Sequence, residues 1–222
     1  MSGYKNRLFI IINLFIFVTT MIAVPVTLIF GSRASRLDDL EMPYWQHIVT
    51  FTLLSNIFLG ITALITAIIK YRSLKHHKKL PPSLDTWYLI ATTAGMITFL
   101  TVVLFLAPMR AINGKDYFDM LLEPMFFLHF LNPVLAAISY IFLLKDKKAT
   151  LKSRLLAILP ITIYGIPYIL FVVILKTWPD FYGLTFGGKY YLLPVDYVIF
   201  ASISFIIAST LSHFHNKKSC HN

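Results

Sequence analysis

LFIIINLFIFVTTMIAVPVTLIF, residues 8–30, runs 23 positions without a charge, and an apolar run of that length matches the roughly 20 residues a helix needs to cross a bilayer. Lys5 and Arg7 precede it, and Ser32-Arg33-Ala34 loosely imitates a cleavage site. Signal-peptide cores extend only about 7 to 15 residues, so a retained helix is expected. Five more runs follow, at Tyr44 to Ile69, Trp87 to Leu106, Pro124 to Leu144, Leu155 to Leu175 and Val195 to Leu211, none with Lys, Arg or Glu in its interior. Together they predict an all-α fold, one domain over residues 1–222, built as a polytopic bundle of six transmembrane helices in three hairpins.

Composition agrees. The chain is 57% hydrophobic and 14% charged, against about 25% charged in an ordinary soluble domain. Lys and Arg fall unevenly: the N-terminus, the 70–86 loop, the 145–154 loop and the C-terminal tail hold 14 of the 20. Cytoplasmic segments retain positive charge, which places both termini in the cytoplasm of a multi-pass cell-membrane protein. Asp38, Asp39, Glu41, Asp116, Asp119, Glu123, Asp180 and Asp196 fall on the external side, leaving Asp85 and Asp146 inside. The net charge of +10 then needs no nucleic acid, because the basic segments 70–79 and 145–154 are placed to meet anionic headgroups.

No cofactor is expected, and no metal. His213, His215, Cys220 and His221 fit no structural zinc spacing and read as a solvated basic tail. With Cys220 the single cysteine, an intrachain disulfide is impossible. Trp178, Tyr182, Tyr190 and Tyr191 crowd one external loop; headgroup anchoring is their ordinary role, and lidding a site the sharper one.

Polar residues inside the spans carry the functional reading. At 100° per residue, Thr52, Ser55, Asn56, Gly60, Ala63, Thr66 and Ala67 form one stripe of the second helix, opposed by Leu54, Ile57, Phe58, Ile61, Leu64, Ile65 and Ile68. In the fourth, His129, Asn132, Pro133, Ala136 and Tyr140 share a face. Ala91, Ala94, Gly95, Thr98 and Thr101 do so in the third. Small and polar faces allow helices to approach closely, so these should point inward. Counted from the outer helix ends, Thr52, His129, Asn132, Thr98 and Thr101 lie roughly 8 to 15 Å deep, all in the external half. Pro133 is expected to free the His129 carbonyl and kink the helix, and Pro160 and Pro167 to act similarly in the fifth.

Two readings follow. As catalysis, Thr52 is a nucleophile, His129 its base, and Asn56 and Asn132 oxyanion donors, with Ser55, Thr98 and Thr101 completing a polar pocket; Asp196 could orient His129, though helix capping is its ordinary role. As structure, the same groups are interhelical hydrogen bonds. His47 and Thr50 project away from the Thr52 stripe and read as interfacial. A transporter component would instead carry broken helices or paired midplane charges.

The segments Trp45-Gln46-His47-Ile48-Val49-Thr50-Phe51-Thr52-Leu53-Leu54-Ser55-Asn56 and Leu128-His129-Phe130-Leu131-Asn132-Pro133-Val134-Leu135 resemble the signature helices of the androgen-induced-protein superfamily of six-helix membrane proteins. Phe-Thr-x-x-Ser-Asn and His-x-x-x-Pro are closest to its bacterial-type branch. Similarity extends to Tyr164-Gly165-Ile166-Pro167-Tyr168 and Trp178-Pro179-Asp180-Phe181-Tyr182-Gly183. The resemblance implies an intramembrane threonine hydrolase acting on lipid esters, with membrane lipid as substrate and His129 as the histidine. Thr50 and Thr52 both fit as the threonine, and Thr52 alone shares the inward face. A related acyltransferase branch uses a membrane cysteine, which no span here contains.

Overall fold

Helices dominate because the chain places about twenty apolar residues at a time where backbone groups must satisfy one another. The structure, a computed structural model, describes residues 3–32, 43–144, 148–180 and 182–219. Arg33, Ala34, Asp38, Asp39, Glu41, Lys145, Asp146, Phe181, Cys220 and His221 lie outside the described residues. Among the described residues six helices are long and apolar enough to cross a membrane: α1 (Gly3–Phe30), α2 (Phe51–His76), α3 (Leu84–Ile112), α4 (Pro124–Leu143), α5 (Leu151–Ile174) and α6 (Tyr190–Lys217). No strand occurs among the described residues.

α3 is the hub, packing against α2, α4, α5 and α6, while α1 closes the far side against α2 and α4. The inward stripes lie where expected. Ser55, Asn56, Gly60, Ala63, Thr66 and Ala67 of α2 are buried, and Leu54, Ile61, Ile65 and Ile68 are exposed. On α4, His129, Asn132, Pro133, Ala136 and Tyr140 are buried, with Ile138 and Phe142 exposed. A Cβ on Gly60 would stand 3.0 Å from the Thr20 Cβ of α1, so the absence of a side chain sets that helix spacing.

Several boundaries differ from the sequence reading, each for a local reason. The chain from Tyr44 to Val49 is a separate 3-10 turn, and α2 begins at Phe51 with Thr50 as its N-cap. The Thr50 hydroxyl accepts from the Leu53 amide at 3.5 Å and donates to the His47 carbonyl at 2.8 Å. Thr52 therefore stands in the first turn of α2 rather than two turns down. At the other end α2 continues to His76, which takes Lys70 out of the expected loop and buries it at 5% exposure, near the exposure of Asp85 at 6%. α3 passes through Pro108 by a π-turn at Val102–Leu106 and continues to Ile112. α6 runs past residue 211, so His215 is not in a solvated tail: its Nδ1 meets the Tyr140 carbonyl at 2.9 Å, and its ring stacks on Tyr140 at 4.6 Å.

Prolines act as punctuation. In α5, Pro160 opens the segment Leu159–Tyr168 after a turn at Ala157 and Ile158, and Pro167 precedes a π-turn at Ile169–Ile174. In α4 the π-turn covers Phe127–Leu131. The Asn132 amide there bonds the Phe127 carbonyl, and Pro133 has no amide to give, so the carbonyl stripped of both α and π partners is that of Leu128, not His129.

Candidate functional site

A cavity of about 100 Å³ opens where the start of α2, the second half of α3, α5, the start of α6 and the 176–189 loop converge. Phe51, Ile97, Val102, Leu106, Ile161, Ile169, Leu193 and Phe200 make most of its wall apolar. The polar residues on the wall are Thr52, Thr98, Thr101, Asp196, Tyr164, Tyr168, Tyr182 and Tyr197. Such a lining, apolar with a few convergent polar groups, is typical of sites that hold small amphiphilic molecules.

Thr52 belongs to this wall because it sits at the first turn of α2, beside the 176–189 loop. The Tyr182 hydroxyl accepts the Phe51 amide at 2.9 Å and stands beside the Thr52 amide and hydroxyl. Burial pushes the Tyr182 phenol above its ordinary range, more than the donors around it pull it down, so it remains a neutral hydroxyl. Of the loop aromatics, Tyr182 thus covers the cavity and Trp178 stacks on Phe171 at 4.6 Å. Tyr190 and Tyr191 are 41% and 74% exposed and do not line the cavity.

Asp180 fastens this lid. Its carboxylate takes the Leu184 amide at 3.0 Å, the Thr185 amide at 2.9 Å, the Thr185 hydroxyl at 2.7 Å and the Tyr168 hydroxyl. Burial alone would raise the carboxyl, but the bonds from Tyr168, Thr185 and Leu184 outweigh it and hold the group below its ordinary 3.8. A depressed folded value contributes stability that is present above the unfolded value and lost as pH falls through the folded one. Protection of the 182–188 amides, measured against their intrinsic exchange rates, should therefore hold from neutrality down to about pH 4 and fall below it. Asp180→Asn should exchange fast throughout, and equal exchange in the two proteins at pH 7 would refute the fastening.

The other residues expected at one site divide among three places. Thr98 lines the cavity, and its hydroxyl shares a 2.9 Å hydrogen bond with Ser55, which ties α3 to α2. Asn56 spends both amide hydrogens, one on the Thr52 carbonyl at 2.8 Å and one on the freed Leu128 carbonyl at 3.0 Å. It has none left for an oxyanion. Asn132 faces α1 instead, donating to the Thr20 hydroxyl at 3.1 Å and accepting from the Thr19 hydroxyl at 2.8 Å.

His129 is 4% exposed and is not among the residues lining the cavity. Its Nδ1 meets the Met120 carbonyl at 2.6 Å. A carbonyl only accepts, so Nδ1 carries the proton and Nε2 is left with its lone pair. Among the described residues no hydrogen bond links His129 to Thr52 or to Asp196; the Asp196 Oδ2 atom is buried without a hydrogen-bond partner. No protein-family model matches this chain, and neither curated proteins nor solved structures give a match. Its chemistry has to be read from these side chains alone.

Proposed function

We propose that this chain is a multi-pass cell-membrane protein, its termini cytoplasmic by the distribution of Lys and Arg, that holds the apolar chain of a membrane amphiphile in the outer cavity. The observation that carries this is the wall itself: apolar side chains from α2, α3, α5 and α6, with hydroxyls and one carboxylate gathered under the Tyr182 lid. The residues that would assist catalysis are instead spent on interhelical bonds, Asn56 on the Leu128 carbonyl and Asn132 on Thr19 and Thr20, which supports a binding role ahead of a catalytic one. Gly165 lines the cavity with nothing within 4 Å of a Cβ built on it. Gly165→Phe should thus occupy the space and weaken binding of a fluorescent long-chain alcohol by about tenfold or more without lowering the unfolding temperature. Unchanged affinity would refute the assignment of the cavity.

A second reading, lipid-ester hydrolysis, is favoured by two observations. Thr52 carries a hydroxyl on the cavity wall at a helix N-terminus, and His129 is held in the tautomer a general base requires, Nε2 unprotonated. It agrees with the resemblance to the androgen-induced-protein superfamily. It also demands that His129 and Thr52 come together in a conformation other than this one. Labelling by a long-chain fluorophosphonate, lost in both Thr52→Ala and His129→Ala but kept in Thr50→Ala, would establish it. Absence of labelling in the folded wild-type protein would leave binding as the function.

A further inference from the structure

The cavity wall discriminates by charge as well as by polarity. Among the described residues no lysine, arginine or histidine lines it, and its one carboxylate, Asp196, lies within electrostatic reach of Asp180 in the 176–189 loop. They are not equivalent. Asp180 is saturated by its four donors, whereas the buried Oδ2 atom of Asp196 accepts no hydrogen bond. A buried carboxylate oxygen without a donor is costly in so apolar a wall, which favours a ligand that brings positive charge to it.

Four aromatic rings on the same cavity wall have the form such a ligand needs. Phe51, Tyr164, Tyr168 and Tyr182 all line the cavity, with centroids 5.3 to 6.4 Å apart and planes inclined by 38° to 75°, so they make walls rather than a stack. Aromatic faces attract alkylated ammonium groups through their quadrupole, most strongly when desolvated.

We propose that the outer cavity selects amphiphiles with a cationic, amine or quaternary-ammonium headgroup, with Asp196 as counter-ion and the Phe51, Tyr164, Tyr168 and Tyr182 rings as its cage. The proposal rests on the cavity being a binding site, and the test separates the two claims. Octyltrimethylammonium, octanol and octyl sulfate are each titrated into the purified chain in maltoside micelles, at mole fractions too low to alter the micelle. Intrinsic fluorescence and the unfolding temperature report binding.

Octyltrimethylammonium should bind about tenfold more tightly than octanol, and octyl sulfate more weakly than either. Asp196→Asn should erase the preference, and Asp196→Glu should keep it. Equal binding of the three, or tighter binding of octanol or of the sulfate, overturns the charge selectivity and leaves the cavity as a general amphiphile site. An undiminished preference in Asp196→Asn overturns the counter-ion. Binding of none of them overturns both the selectivity and the cavity's binding role. Should Asp196→Asn fail to fold, the wild-type ranking decides the selectivity by itself.

Discussion

Gly60→Leu is expected to be among the most damaging substitutions in the bundle. A Cβ at position 60 would meet the Thr20 Cβ, Cγ2 and Oγ1 atoms at 3.0, 3.1 and 3.2 Å, so three atoms of one side chain block it. Thr20 cannot turn away cheaply: it is β-branched, fully buried, donates to the Ile16 carbonyl at 2.8 Å and receives the Asn132 amide at 3.1 Å. The helices themselves must separate, and overpacking of this kind costs ~1–3 kcal/mol, occasionally more. Separation would also strain the Asn132 bonds that join α4 to α1. Gly165→Ala is the matched control, since nothing stands within 4 Å of its Cβ and the helix gains propensity. In maltoside micelles titrated with dodecyl sulfate, Gly60→Leu should unfold well before the wild-type protein and Gly165→Ala at or after it. Equal behaviour of the two variants would mean that small residues here do not set helix spacing.

That contrast marks what the sequence could and could not reveal. The stripe Ser55, Asn56, Gly60, Ala63, Thr66 and Ala67 was legible because lipid tolerates large aliphatic groups and close helix contact does not, so size and polarity sort by face. The ends of the spans were less legible. Hydropathy sees Tyr44 and Trp45 as continuous with Phe51, whereas the break at Thr50 depends on a hydroxyl closing a cap. Likewise Lys70 and His215 were assigned to water by their charge. A helix extended by one or two turns buries such groups wherever a carbonyl or another partner is within reach.

The site was half legible. Thr52 falls on the small and polar face of α2, Thr98 and Thr101 on that of α3, similar depth joined the two faces, and all three line one cavity. Asp196 was noticed for its position at the mouth of the last helix. Tyr164 and Tyr168 were quoted only as part of a motif, although their spacing of four residues puts both rings on one face of α5. Their meeting with Tyr182 depends on how the 176–189 loop folds back, and that is set by the Asp180 bonds to Tyr168, Leu184 and Thr185, which no periodicity encodes. His129 was paired with Thr52 from depth and face alone. Face fixes the direction of a side chain to within tens of degrees, and the Met120 carbonyl at 2.6 Å decides the rest.

The second large effect is expected at Asn56 and should depend on Pro133. Pro133 removes an amide from the middle of α4, the Asn132 amide goes to Phe127 through the π-turn, and the Leu128 carbonyl is left for the Asn56 side chain at 3.0 Å. Asn56→Leu keeps the branching of the side chain but deletes that donor, leaving a buried carbonyl unpaired at a cost of ~1–3 kcal/mol. Pro133→Ala supplies a backbone amide at position 133, which can reach the Leu128 carbonyl in a π-turn or the His129 carbonyl in a regular helix. With α4 free to satisfy itself, the Asn56 side chain becomes redundant. Asn56→Leu should accordingly cost less in the Pro133→Ala background than in the wild-type protein, with a coupling of about 1 kcal/mol in a double-mutant cycle. Strict additivity would mean that Asn56 stabilises the bundle through its other bond, to the Thr52 carbonyl at 2.8 Å. The two residues lie on different helices, 77 positions apart in the chain, so a measured coupling would locate it at one carbonyl that neither of them carries.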